Sequence, residues 1–439
     1  MGPRESVTEL TGAGPSFRDA LHVWTRIGLL SFGGPAAQIA LMHRELVEER
    51  GWIGERDFLT ALSFCMLLPG PEAMQLATYV GWRLHGTRGG LAAGLLFVIP
   101  GALIVLALSI LYGALGKTPI VEALFVGVKA AVLAIVAEAL IRVARRALRA
   151  PFDWITAAAA FCALFFFGVP FPVVIGVAAI AGYVRGMGSV SPAAQQAPVR
   201  PVPLRDTLAT LAIWLAVWIV PLVAIAALFG RDHILSELAL FFSKLAVVTF
   251  GGAYAVLAYM AQQVVQGYGW LSPGEMLDGL GLAETTSGPL ILVTEFVGYT
   301  AAFRLGGEPP LLMGVLGALV TLWATFAPCF LWIFVGAPYI ERLTHAPRLA
   351  AALNAVTAAV VGVIANLSLW FTLHVIFRQV NAESAGPLQV LVPQAASVDV
   401  KALTLSLLAV VLVFLVRAGI VGTLATCALG ALAWSYFGG

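Results

Sequence analysis

Arg26 and Lys244 each stand seven residues ahead of a glycine pair, Gly33-Gly34 and Gly251-Gly252. Seven residues is close to two helical turns, so each cation shares a face with the point where its helix is interrupted. Two more interruptions follow, at Pro69-Gly70-Pro71 and Ser287-Gly288-Pro289. Glycine lets the chain leave helical geometry, and proline suits the first turn of a new helix. Each restart leaves backbone N–H groups without intrahelical acceptors and with a partial positive charge. An anion is their natural partner. The spacing therefore predicts an anion site built from Arg26, Gly33, Gly34, Gly70, Pro71, Lys244, Gly251, Gly252, Gly288 and Pro289. Two matched cations suit a doubly charged guest. The competing reading is structural: glycines for close helix packing, prolines for kinks, and cations that snorkel to an interface.

Other polar groups lie near these breaks. Glu72 follows Pro71 directly and Glu284 shortly precedes Gly288. An acid there either titrates and couples to protons or, for Glu72, caps its helix through the dipole. Lys129 shares a helical face with Glu122, seven residues earlier, which predicts a structural ion pair. No nucleophile–base pair is evident, and the six histidines show no metal-ligand spacing, so neither an enzyme nor a cofactor or metal site is expected. The four cysteines are widely spaced in apolar segments and read as buried inert thiols.

The elements that must carry these residues are membrane helices. Of 439 residues, 60% are hydrophobic and 11% charged, and the mean hydropathy is +0.94. A soluble domain carries roughly 25% charged residues. Long apolar runs such as residues 91–115 suit helices that cross hydrocarbon rather than barrel strands. The net charge of +2 and the lack of a dense basic tail give no sign of a nucleic-acid partner. The first sixteen residues are polar, with no apolar segment of the kind a cleavable signal peptide needs.

The chain repeats itself. A shift of 218 places Phe32-Gly33-Gly34 on Phe250-Gly251-Gly252, Gly51-Trp52 on Gly269-Trp270 and Gly70-Pro71 on Gly288-Pro289. A shift of 228 places Pro100 on Pro328 and Pro119 on Pro347. Shared offsets indicate duplication. The expected organisation is a polar tail (1–16), a first repeat (17–186), a cytoplasmic linker (187–206), a connecting transmembrane helix (207–229) and a second repeat (236–437). Within a repeat the first segments are expected at 17–31 and 35–48, then 55–68 and 71–84, as re-entrant hairpins or pairs of short spans. An even number of crossings per repeat, followed by one extra helix, turns the second repeat upside down. Most Lys and Arg residues then fall on the cytoplasmic side, including the cluster Arg142, Arg145, Arg146 and Arg149, as the positive-inside rule requires. The fold class expected is an all-α polytopic membrane protein of two inverted-topology repeats with broken helix hairpins. Such repeats are common in secondary transporters.

With "SFGGP" (31–35), "LPGPEAMQLATYVGWRLHG" (68–86), "TFGGAYAVL" (249–257) and "AETTSGPLILVTEFVGY" (283–299) in view, the sequence resembles the chromate ion transporter family, two-domain type. The resemblance covers nearly the whole chain. It implies a secondary transporter that expels chromate from bacterial cells and confers chromate resistance, with sulfate as structural analogue. Efflux would proceed by alternating access, driven by membrane potential, proton exchange or both. The alternative is a carrier of sulfate or another anion on the same scaffold. The location expected is the bacterial inner membrane, with a cytoplasmic N-terminus, a periplasmic C-terminus and a homodimer as the assembly considered. The chain departs from internal symmetry at Ser287, where the first repeat has Pro69.

Overall fold

The computed structural model describes residues 14–116, 118–187, 203–248, 253–340, 347–386 and 388–437. Among the described residues the regular structure is helical apart from one hairpin. Helices α1 (Phe17–Leu30), α2 (Gly34–His43), α3 (Glu55–Leu67), α4 (Glu72–Leu115), α5 (Pro119–Ala147), α6 (Pro151–Phe165) and α7 (Phe171–Gly186) come first. Helix α8 (Leu204–Phe229) connects to α9 (Ile234–Val248), α10 (Ala253–Gln262), α11 (Pro273–Thr285), α12 (Val293–Leu305), α13 (Pro310–Gly336), α14 (Pro347–Ile376), α15 (Val400–Val410) and α16 (Gly419–Phe437). Six of the described helices are long and apolar enough to cross a membrane, among them α4, α5, α8, α14 and α16. This is a multi-pass membrane protein.

Helix α4 is two limbs. At His85 and Gly86 the backbone leaves helical geometry, Gly86 taking φ +62°. A Cβ on Gly89 would lie 2.2 Å from the Gly81 carbonyl oxygen, a contact that a continuous helix eight residues apart would not make. The limbs 72–84 and 87–115 therefore fold back on each other through facing glycines. Helices α12 and α13 do the same: a Cβ on Gly317 would lie 2.3 Å from the Gly298 carbonyl oxygen.

The second set of elements follows the order of the first in finer detail too. Both α2 and α10 run into a π-helical turn, Arg44–Glu48 and Gln263–Gly267. Each turn is closed by a positive-φ glycine, Gly51 or Gly269, and a tryptophan amide that returns to the helix, Trp52 to Leu46 O and Trp270 to Val264 O. An ion pair ties the start of α3 to the first limb of α4, Asp57 with Arg83 at 3.1 Å. Its counterpart, Glu275 with Arg304, ties α11 to α12. Helix α14 packs on α6 and α7, while α5 packs on α15 and α16, so the two sets exchange long helices.

One element has no counterpart and was not anticipated. Strands β1 (Val380–Ala385) and β2 (Leu388–Pro393) form an antiparallel hairpin between α14 and α15. The Gln389 N–H donates to the Phe166 carbonyl at 2.7 Å, fastening the hairpin to the α6–α7 link. Asp399 closes it, capping α15 through the Ala402 amide and pairing with Arg378 at 3.0 Å. Partial burial works against the Asp399 carboxylate, but the Ala402 amide and the Arg378 guanidinium outweigh it and hold its pKa below the ordinary value. The cysteines also differ in part from expectation: Cys65, Cys329 and Cys427 are buried, whereas Cys162 is exposed.

Gly89→Ala and Gly317→Ala each overpack a glycine contact and cost about 1–3 kcal/mol, read as a lower melting temperature in detergent. Gly176→Ala, inside α7 where a Cβ meets nothing within 4 Å, does not lower it and should raise it slightly, since alanine is the better helix former. Because the Asp399 pKa is depressed on folding, its contribution is complete above the unfolded value of about 4 and fades as pH falls through the folded one. Hydrogen exchange across 377–399 should rise at acidic pH in the wild type and be raised already at neutral pH in Asp399→Asn.

Candidate functional site

Three of the four interruptions lie among the described residues. The first falls between α1 and α2, with Gly33 and Gly34 at φ +89° and +78°. The second lies between α3 and α4, with Gly70 at +125°, and the third between α11 and α12, with Gly288 at +91°. A side chain there would be strained, which is why the sequence spends glycine at each. The fourth interruption, with Gly251 and Gly252, lies outside the described residues. No side chain caps α2, α4 or the short turn Leu290–Leu292 that opens α12. Their first-turn N–H groups thus remain available for an acceptor from elsewhere.

The breaks belonging to the two sets of helices meet. The Gly288 N–H donates to the Ser31 carbonyl at 2.9 Å. The Gln38 side-chain amide donates to the Gly288 carbonyl at 2.6 Å and the Ser31 carbonyl at 3.3 Å, joining both breaks through one buried group. One amide expected to face an anion, that of Gly288, is therefore already paired. Each second break is also seated against the proline-bearing helix of the other set. A Cβ on Gly101, the residue after Pro100, would lie 2.0 Å from the Ser287 carbonyl oxygen. A Cβ on Gly70 would lie 3.0 Å from the sulfur of Cys329, the residue after Pro328. Gly70, Pro71, Gly288 and Pro289 are buried, while Gly33 and Gly34 are partly open.

The two cations occupy equivalent places, each four residues before the end of its helix: Arg26 on α1 and Lys244 on α9. Arg26 is half exposed and its Nε lies 3.3 Å from the fully buried carboxylate of Glu45. Arg50 holds the other oxygen of Glu45 at 2.5 Å. An anion at Arg26 would share it with that carboxylate. Arg18, His22 and Arg26 recur every fourth residue and line an open groove of about 580 Å³ that runs along α1 with Leu29 and Leu30. Lys244 is exposed and makes no ion pair among the described residues. A second recess of about 380 Å³ lies beyond α10, bordered by Gln262, Gln266, Asn366 and His374 and by Gln389 of the β-hairpin.

Glu72 begins α4 and Glu284 is buried in the last turn of α11. Sequence spacing pointed to Ser287 and Glu295 but did not find Gln38, Gln75 or Thr294. Gln75 is buried and donates to the Pro69 carbonyl at 2.7 Å, bracing the second break as Gln38 braces the first. The shared signal was present: each glutamine lies four residues after a break residue, Gly34 or Pro71. Their second-repeat equivalents are Val256 and Val293. Gln38 Oε1, Gln75 Oε1, Ser287 Oγ, Thr294 Oγ1 and Glu295 Oε2 are buried without a hydrogen-bond partner among the described residues. Such groups are costly unless something polar meets them. They mark this region as polar inside an apolar chain.

Lys129 does not pair with Glu122, which is exposed. Its ammonium lies 3.3 Å from the buried carboxylate of Asp278 on α11, and the Tyr112 hydroxyl donates to the other Asp278 oxygen at 2.8 Å. Three helices from the two sets thus converge on one carboxylate.

The family model for chromate transporters matches residues 19–183 and again residues 236–434. The chain belongs to the chromate transporter family. Like this family member, the chromate transport protein of Pseudomonas aeruginosa is a long chain: the two are 33% identical over 366 residues, 82% of each. The chromate transport protein of Cupriavidus metallidurans is 30% identical over 355 residues, covering 80% of this transporter and 81% of the relative. A probable chromate transport protein of Synechococcus elongatus is 30% identical over 350 residues, covering 80% and 83%. No solved structure matches this chromate transporter family member.

Removing one partner of the Asp278 triad tests its weight. Asp278→Asn leaves Lys129 without its counter-charge and should destabilise the folded protein by about 3 kcal/mol at most, since Lys129 is not fully buried. Asp278→Asn with Lys129→Met should recover most of that loss, read by thermal unfolding in detergent.

Proposed function

We propose that this protein is a secondary transporter that carries chromate out of the cell, using a site where interrupted helices of two inverted repeats meet. Family membership and the names of the chromate transport relatives support the substrate. The observation that carries the site is the bond from the Gly288 amide to the Ser31 carbonyl, bridged by Gln38, because it brings interruptions 257 residues apart into one place. It joins the uncapped starts of α2 and of the Leu290–Leu292 turn and the buried Gln38, and Arg18, His22 and Arg26 lie along α1, the helix that leads to Ser31. These are the features a dianion needs: partial positive charge from backbone ends and full charge at the approach.

The reciprocal seating of breaks on proline-bearing helices supports a pseudo-two-fold relation between the repeats, and alternating access by rocking of one repeat against the other follows from such a relation. The inner bacterial membrane and a cytoplasmic N-terminus are part of this proposal. A dianion leaving an inside-negative cell gains about 4.6 kcal/mol per 100 mV, twice the single-charge value, so the membrane potential alone suffices as a driving force. Glu72 and Glu284 are the acids placed for proton exchange if the potential is not the sole driver. Sulfate, of the same charge and shape, is the alternative cargo.

Chromate accumulation in everted vesicles tests the reading. Collapse of the potential should abolish most uptake, and collapse of the pH gradient alone should leave it if protons are not exchanged. Arg26→Ala and Lys244→Ala should each lower the initial rate at least tenfold with normal protein in the membrane. Wild-type flux in either variant removes that residue from the site. Sulfate that eliminates chromate uptake at equal concentration would make sulfate the better substrate. For topology, a cysteine at Gln266 should react with an impermeant reagent from outside intact cells, and one at Arg50 only from inside.

A further inference from the structure

The arginine cluster of α5 is not used by the site above. Arg142, Arg145 and Arg146 line a cleft of about 640 Å³ together with Arg417, which lies 271 residues beyond Arg146 in the link between α15 and α16. The cleft is therefore built from both repeats. Its acidic member is Glu138, which pairs with Arg142 at 2.5 Å. Arg145, Arg146 and Arg417 are exposed and make no ion pair among the described residues. Arg417 takes φ +57°, a left-handed conformation that ordinary side chains avoid, at the end of the π-helical segment Val411–Val416. The chain thus turns an arginine, rather than a glycine, into this corner.

The remaining walls are apolar: Ile135, Ile141, Val413, Phe414 and Ile420. They grade from the core to the outer surface. Ile135 is buried, Ile141 and Phe414 are more than a third exposed, and Leu415 beside them is 73% exposed. A soluble anion has no need of such a wall, whereas a two-part ligand with an anionic head and a hydrocarbon tail needs both parts. Basic pockets between membrane helices suit phospholipid headgroups, and juxtamembrane arginines attract anionic lipid.

We propose that this cleft is a binding site for the phosphate headgroup of an anionic phospholipid, whose acyl chains run down the Ile141–Phe414 face. A bound lipid would clip α5 of the first repeat to the α15–α16 link of the second. The assignment does not depend on the transported ion.

The test uses delipidated full-length protein in detergent, with native mass spectrometry and thermal unfolding as readouts. Phosphatidylglycerol should remain bound and raise the melting temperature, and phosphatidylcholine of the same chain length should do neither. Each of Arg145→Gln, Arg146→Gln and Arg417→Gln should weaken phosphatidylglycerol binding roughly fivefold, whereas Arg56→Gln, an exposed arginine outside the cleft, should leave it unchanged. Arg417→Lys, which keeps the charge, should retain most of the binding and guards against a folding defect at this corner. Equal binding of phosphatidylcholine, or unchanged phosphatidylglycerol binding in all three glutamine variants, overturns the proposal. So does an equal thermal shift from inorganic phosphate or sulfate without lipid, which would make the cleft a site for free anions.

Discussion

A backbone amide in hydrocarbon must find a partner, and this constraint governs the architecture. The chain breaks helices at Gly70 and Gly288 in its buried interior, which exposes N–H and C=O groups where water is scarce. It meets the cost by having one set of helices serve the breaks of the other. The Ser31 carbonyl accepts from the Gly288 amide, and Gln38 spans both. Gly101 is small because the Ser287 carbonyl comes against it, whereas Gly70 and Gly288 are glycines because their backbone takes positive φ.

The duplication explains most of the symmetry but not the chemistry. Turns, glycine hairpins and the Asp57–Arg83 and Glu275–Arg304 pairs recur in both repeats. The polar groups do not. Gln38 and Gln75 belong to the first repeat and correspond to valines in the second, while Ser287, Thr294 and Glu295 belong to the second. Each copy carries a different set of buried polar groups, which two identical repeats could not supply.

Much of the fold was legible in the residues. Constant offsets located the paired segments, and glycine and proline marked the three described breaks, because breaks have strong local chemistry. The hairpin at 380–393 was missed because its short strands lack a clear alternation and sit in one repeat only. Lys129 was assigned to Glu122 because periodicity sees a single helix, whereas its partner Asp278 arrives from another. The interruptions at Gly33-Gly34, Gly70 and Gly288 were legible as helix ends. That Ser31 and Gly288 bind each other was not, since no local pattern announces a contact across 257 residues.

The bond between Ser31 and Gly288 constrains how the molecule can move. Gly101 and Ser287 lie in such close contact that a small slide would collide or open a gap, and separation would strip partners from several polar groups at once. Packed interfaces of this kind are bistable rather than elastic. Any movement of one set of helices against the other would therefore exchange one set of contacts for another rather than stretch them.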